Sequence, residues 1–181
     1  GVQRLAAGLG AGALPAVTHV QLIGMHVGDA GASALAAALG RGALPRLKIL
    51  ALDSAAIGDA GLLVLAPALR RLTALESLAL GGNLFGDDGL AALVAPAPPA
   101  GAPPPPAGGL AKLKELGLGG TQVSDAGCAT LVAVLDSGAL PALQYLNLDD
   151  IPASAAAISA VQAGTDKNYN RLTRRIRRVK A

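Results

Sequence analysis

Five segments of this chain repeat one another, and a short internal period restricts a fold more than any composition does. They read LPAVTHVQLIGMHV from Leu14, LPRLKILALDSAAI from Leu44, LTALESLALGGNLF from Leu72, LAKLKELGLGGTQV from Leu110 and LPALQYLNLDDIPA from Leu140. Successive starts lie 30, 28, 38 and 30 residues apart. The long interval holds a Pro-rich insert, APAPPAGAPPPPAGG, at 95–109, and removing about ten of its residues restores the period.

Each unit has two halves with different periodicity. The first carries apolar pairs two apart, as in Leu50/Leu52, Leu78/Leu80, Leu116/Leu118 and Leu146/Leu148, which puts both side chains on one face of a short strand. The second, as in 60–69, spaces Leu62, Leu65 and Leu69 for one face of a helix. One strand and one helix cannot bury these leucines alone, whereas stacked units can. The expected fold is therefore an α/β solenoid with a parallel sheet inside and helices outside. Each buried leucine contributes about 1.5–3 kcal/mol. With no Trp, one Phe and two Tyr, the core has to be aliphatic.

The pattern L-x-x-L-x-L followed by x-I-G-D-x-G-x-x-x-L-x-x-x-L resembles the leucine-rich repeat, in its ribonuclease-inhibitor-like subclass, over residues 1–164. The opening GVQRLAAGLGAG matches GASALAAALGRG from Gly31, so the chain is expected to start inside a repeat of a longer solenoid. Residues 1–165 are read as the solenoid and 166–181 as a basic, helical tail. The family usually places Asn or Cys just after the strand. This chain has Met25, Ala55, Asn83, Thr121 and Ile151 there, so less regular turns are expected, with backbone groups left to water.

The tetrapeptide Gly-Asp-Ala-Gly occurs at 28–31 and 58–61, with near copies at 86–89 and 124–127. A calcium loop needs several oxygen ligands within a dozen residues, and a phosphate loop needs a following Lys or a dinucleotide signature. Neither is present. Asp29, Asp59, Asp87 and Asp125 are read instead as caps on the first turn of their own helices, worth about 1 kcal/mol each. The fifth unit lacks the motif; there Ser154 is expected to cap a last helix ending near Gly164.

The strand register assigns a concave face: His19, Gln21 and Ile23; Ile49, Ala51 and Asp53; Ser77, Ala79 and Gly81; Glu115, Gly117 and Gly119; Tyr145, Asn147 and Asp149. From these His19, Gln21, Ile49, Asp53, Ser77, Glu115, Tyr145, Asn147 and Asp149 are the candidate partner-binding residues. Tyr145 is the one of a type common at binding hot spots. His19 and His26 lack metal-ligand spacing, and Cys128 has no identifiable base, so no catalytic, metal or cofactor residue is assigned. Asp149 and Asp150 are read as solvated turn residues.

Charge is unevenly placed. Residues 1–165 hold eight Lys/Arg against eleven Asp/Glu, whereas 166–181 hold seven against Asp166 alone. The tail residues Tyr169, Leu172, Ile176 and Val179 form one helical stripe, surrounded by Arg171, Arg174, Arg175, Arg177, Arg178 and Lys180. This segment is expected to cover the solenoid end, dock on an acidic protein, or contact RNA phosphates or an anionic membrane. The charge-free windows 5–28 and 89–111 contain polar residues and prolines unsuited to a spanning helix, and no signal peptide is visible. The single Cys128 fits a reducing, cytoplasmic location.

The resemblance implies protein partners. The functional expectation is a non-catalytic protein-interaction or scaffold module within a larger protein or assembly. The alternative is a nucleic-acid- or ribonucleoprotein-associated subunit anchored by the tail. GTPase-activating members of the subclass suggest a third role, but their functional residues do not map onto this chain.

Overall fold

A computed structural model describes residues 4, 6, 8, 14–94 and 110–179, with side chains through Leu172. The insert at 95–109 and Lys180 lie outside the described residues. The chain alternates strands and helices in sequence order: β1 (His19–Gln21), α1 (Gly28–Gly40), β2 (Ile49–Ala51), α2 (Asp59–Leu69) and β3 (Ser77–Ala79) come first. Then follow α3 (Asp87–Val94), β4 (Glu115–Gly117), α4 (Asp125–Ser137), β5 (Tyr145–Asn147) and α5 (Ala155–Val179). The strands form one parallel sheet in the order β1-β2-β3-β4-β5. Each helix packs on the next.

Register follows the repeat. His19, Ile49, Ser77, Glu115 and Tyr145 lie side by side across the sheet, as do Val20, Leu50, Leu78, Leu116 and Leu146. The second row faces the helices, and its members Leu50, Leu78 and Leu116 are completely buried. Leu47, Leu75, Leu113 and Leu143, from the start of each repeat, are buried with them, as are Leu62, Leu65 and Leu69 of α2. Leu44 and Leu110 reach this core with backbone φ of +56° and +53°. That left-handed conformation costs a residue with a side chain about 1–2 kcal/mol. Both leucines are nearly inaccessible, and burial worth about 1.5–3 kcal/mol offsets the strain.

The turns after the strands are regular, contrary to the expectation drawn from the missing asparagines. A backbone ladder continues past the sheet: Gly24 N donates to Asp53 O, Ser54 N to Gly81 O, Gly82 N to Gly119 O, and Gly120 N to Asp149 O. Each repeat thus satisfies its neighbour's backbone. Asn83 strengthens one layer, because its buried Oδ1 accepts from Ala55 N and Ile57 N at 3.2 and 3.0 Å. Its Nδ2 donates to Leu52 O and Leu80 O, both at 2.8 Å.

The last helix also differs from expectation. Ser154 does cap it, with Oγ accepting from Ala157 N at 3.2 Å. It does not end near Gly164; α5 runs unbroken to Val179. A Cβ on Gly164 would lie 3.1 Å from Leu135 Cδ1, so the glycine lets α5 lie close on α4. The face laid against the solenoid is Val161, Gly164, Thr165 and Asn168. Asn168 Nδ2 donates to Leu140 O and Leu143 O at 2.8 and 3.0 Å, closing the fifth repeat. Leu172 is half-buried, whereas Tyr169 of the expected stripe is exposed; the side chains of Ile176 and Val179 lie outside the described residues. No described helix is long and apolar enough to cross a membrane.

Candidate interaction surface

The strand face is the first candidate. His19, Gln21, Glu115 and Tyr145 are exposed, while Ile49 and Ser77 are half-buried. The middle of this face is smooth, because Ala51, Ala79 and Gly117 pair across β2, β3 and β4. Several candidate residues are already engaged. Ser77 Oγ donates to Glu115 Oε2 at 3.0 Å. Asp53 Oδ1 accepts from Gly81 N at 2.9 Å. Asn147 and Asp149 bond each other, through Asn147 Nδ2 to Asp149 Oδ2 and Asp149 N to Asn147 Oδ1. Tyr145, 58% exposed, is the aromatic side chain this face offers to a partner, with Ile23 exposed at the opposite end.

Just before the strands lies a charged row that sequence reading missed. Lys48 and Lys114, two repeats apart, both reach Glu76 between them, at 3.2 and 2.5 Å. Hydrogen bonding to Lys114, then to Lys48, holds the Glu76 carboxyl below its ordinary range. The signal was present at one fixed repeat position, but only the register shows it as a contact.

The four aspartates do not cap their own helices. Each reaches forward to the start of the following helix. Asp29 Oδ1 accepts from Gly58 N at 2.7 Å, and Asp59 Oδ1 accepts from Gly86 N and Gly89 N at 2.9 and 2.8 Å. Asp87 receives Ser124 N and Oγ at 2.9 and 2.6 Å, and Asp125 receives the same two groups of Ser154 at 2.5 and 2.9 Å. A carboxylate on a first helical turn faces sideways along the stack, where the next repeat's unpaired N–H groups lie. The glycine two residues after each aspartate belongs to the same device. A Cβ on Gly61, Gly89 or Gly127 would lie 2.4, 2.8 or 2.3 Å from the preceding repeat's aspartate oxygen. The tetrapeptide is an inter-repeat latch, with Asp in one layer and Gly in the next.

Cys128 is buried in the core; desolvation first, then Asp125 and Asp87, push its thiol pKa up, opposite to what a nucleophile needs. Among the described residues no group of His, Cys, Asp or Glu is placed to hold a metal ion. A shallow cleft of about 210 Å³ lies between β5 and α5, lined by Tyr145, Leu148, Val161 and Thr165.

Topology also sorts charge by edge. Strands are parallel and each helix returns the chain, so every strand-to-helix loop lies on one edge and every helix-to-strand loop on the other. The strand-to-helix loops with their first helical residues (22–30, 52–60, 80–89, 118–126 and 148–155) hold eight aspartates and no Lys or Arg. The helix-to-strand loops hold Arg41, Arg46 and Lys48, then Arg70 and Arg71, then Lys112 and Lys114.

Comparison with known proteins agrees with this architecture. A family model described as Leucine Rich repeat matches residues 72–94. No curated protein matches the chain. Solved structures align along its whole length. One is the tropomodulin C-terminal domain from Caenorhabditis elegans, 17% identical, with 99% of each chain covered and a TM-score of 0.69. Another is Leiomodin-1 Actin-Binding Site 2, 15% identical, covering 99% of this chain and 93% of that one with a TM-score of 0.64. The chain thus has the leucine-rich-repeat fold, an α/β solenoid.

Proposed function

We propose that this solenoid is a non-catalytic protein-recognition module of the ribonuclease-inhibitor-like subclass, using its strand face around Tyr145, and that actin is the first partner to test. One observation carries the reading: the fold matches, nearly end to end, a domain whose description names it an actin-binding site. The strand face fits such a role, offering an exposed aromatic at one end of a smooth strip of small side chains. On this reading the protein works in the cytoplasm, within a larger assembly.

Co-sedimentation of the full chain with actin filaments tests it. The protein is expected in the pellet, and Tyr145→Ala is expected to weaken binding by at least about tenfold, as truncation of a hot spot does. A chain that stays in the supernatant, and binds no monomeric actin by analytical ultracentrifugation, would refute the actin assignment.

A further inference from the structure

The basic segment at the end of α5 and the basic loops of the solenoid lie on the same edge. All the helices run back from the strand-to-helix edge, so their C-terminal ends share the edge that carries Arg46, Arg71 and Lys112. Gly164 lies level with Leu135, near the end of α4, and Asn168 bonds the loop that leads into β5. The eleven residues from Tyr169 to Val179 therefore continue past that loop, for about 16 Å at helical rise. Among the described residues, the seven loop residues and the five at 171–178 leave only Arg4 and Lys167 of fourteen Lys/Arg elsewhere. Repeats stack at about 4.8 Å, so loop charges two repeats apart are about 10 Å from each other, close to the screening length in physiological salt. They act on an approaching partner as one field.

We infer that this basic edge, extended by the end of α5, is a second docking surface whose occupant is an acidic protein segment. Two observations favour protein over nucleic acid. The chain has no Trp and its one Phe, Phe85, is buried, so among the described residues this surface offers a single exposed aromatic, Tyr169 on α5, and no row of aromatics on which successive bases could stack. Glu76 also sits fixed between Lys48 and Lys114, placing a carboxylate where a continuous phosphate backbone would run. An acidic polypeptide can space its charges around it. This surface is separate from the strand face and does not depend on what that face binds.

The test is fluorescence anisotropy of a labelled polyglutamate peptide titrated with the full chain at low and physiological ionic strength. Binding that weakens steeply with salt is expected. Arg46→Glu/Arg71→Glu/Lys112→Glu, all at exposed positions, is expected to weaken it at least about tenfold with an unchanged far-UV spectrum. Truncation after Leu172 is expected to do the same. Asp88→Lys/Asp150→Lys, on the opposite edge, is expected to leave binding within about twofold, separating a local surface from net charge. The inference falls if the triple reversal leaves affinity intact, or if the opposite-edge variant changes it as much. It falls equally if duplex RNA or phosphatidylserine vesicles bind more tightly than the peptide at matched ionic strength. Polyglutamate binding without actin binding would refute only the strand-face assignment.

Discussion

Asp59 and Gly89 form the latch between the second and third repeats, and a double-mutant cycle on them tests whether the two residues are one device. Asp59→Ala removes an acceptor of two first-turn N–H groups and leaves both in a partly buried site. A lost cap costs about 0.5–2 kcal/mol and a stranded donor about 1–3, so about 2 kcal/mol is expected. Gly89→Ala would gain about 1 kcal/mol in an unobstructed helix. Here its Cβ meets Asp59 Oδ1 at 2.8 Å and Phe85 Cβ at 3.0 Å, and relieving the first contact breaks the latch itself. The single substitution should therefore cost about 2–3 kcal/mol, combining overpacking with lost bonds. In the Asp59→Ala background the oxygen is gone and the bonds are already lost, leaving only Phe85 and Leu62 Cδ2, at 3.3 Å, to adjust. The double variant should be more stable than the sum of the singles by about 1–2 kcal/mol. Urea unfolding of the four proteins, followed by far-UV circular dichroism, measures this. Additivity within about 0.5 kcal/mol would show that aspartate and glycine act independently, and would refute the latch.

Asn83→Ala should destabilise the fold by about 2–4 kcal/mol in the same assay, because it strands the Ala55 and Ile57 amides and two carbonyls in a buried turn. Cys128 should resist a disulfide reagent in native buffer and react at the unfolding rate or on adding urea; rapid native labelling would contradict its burial. Since Glu76 has a lowered folded-state pKa, its ion pairs contribute fully above the ordinary glutamate value of 4.5 and are lost as pH falls through the lowered one. The loss of stability between neutral and acid pH should thus be shallower in Glu76→Gln, and the difference between the two proteins should shrink in high salt. An identical pH profile would show that the row contributes nothing.

The repeat, the strand and helix faces, the aliphatic core and the Ser154 cap were all legible in the sequence. Each depends on local periodicity or on a residue within one turn of its partner, and Leu50, Leu78 and Leu116 lie inside because alternation alone puts them there. Sequence reading failed where a partner sits one layer away. Asp29, Asp59, Asp87 and Asp125 were correctly placed at helix starts, but their hydrogen-bond donors lie 27 to 37 residues on, in the next repeat. The turns looked irregular because most lack the usual asparagine, yet backbone groups of adjacent layers pair with one another. Gly164 read as a helix end, although it is a contact surface for Leu135. The division of charge between two edges was invisible for the same reason: acidic and basic loops alternate along the chain. Parallel strands, each followed by a returning helix, bring every acidic loop to one side and every basic loop, with the end of α5, to the other.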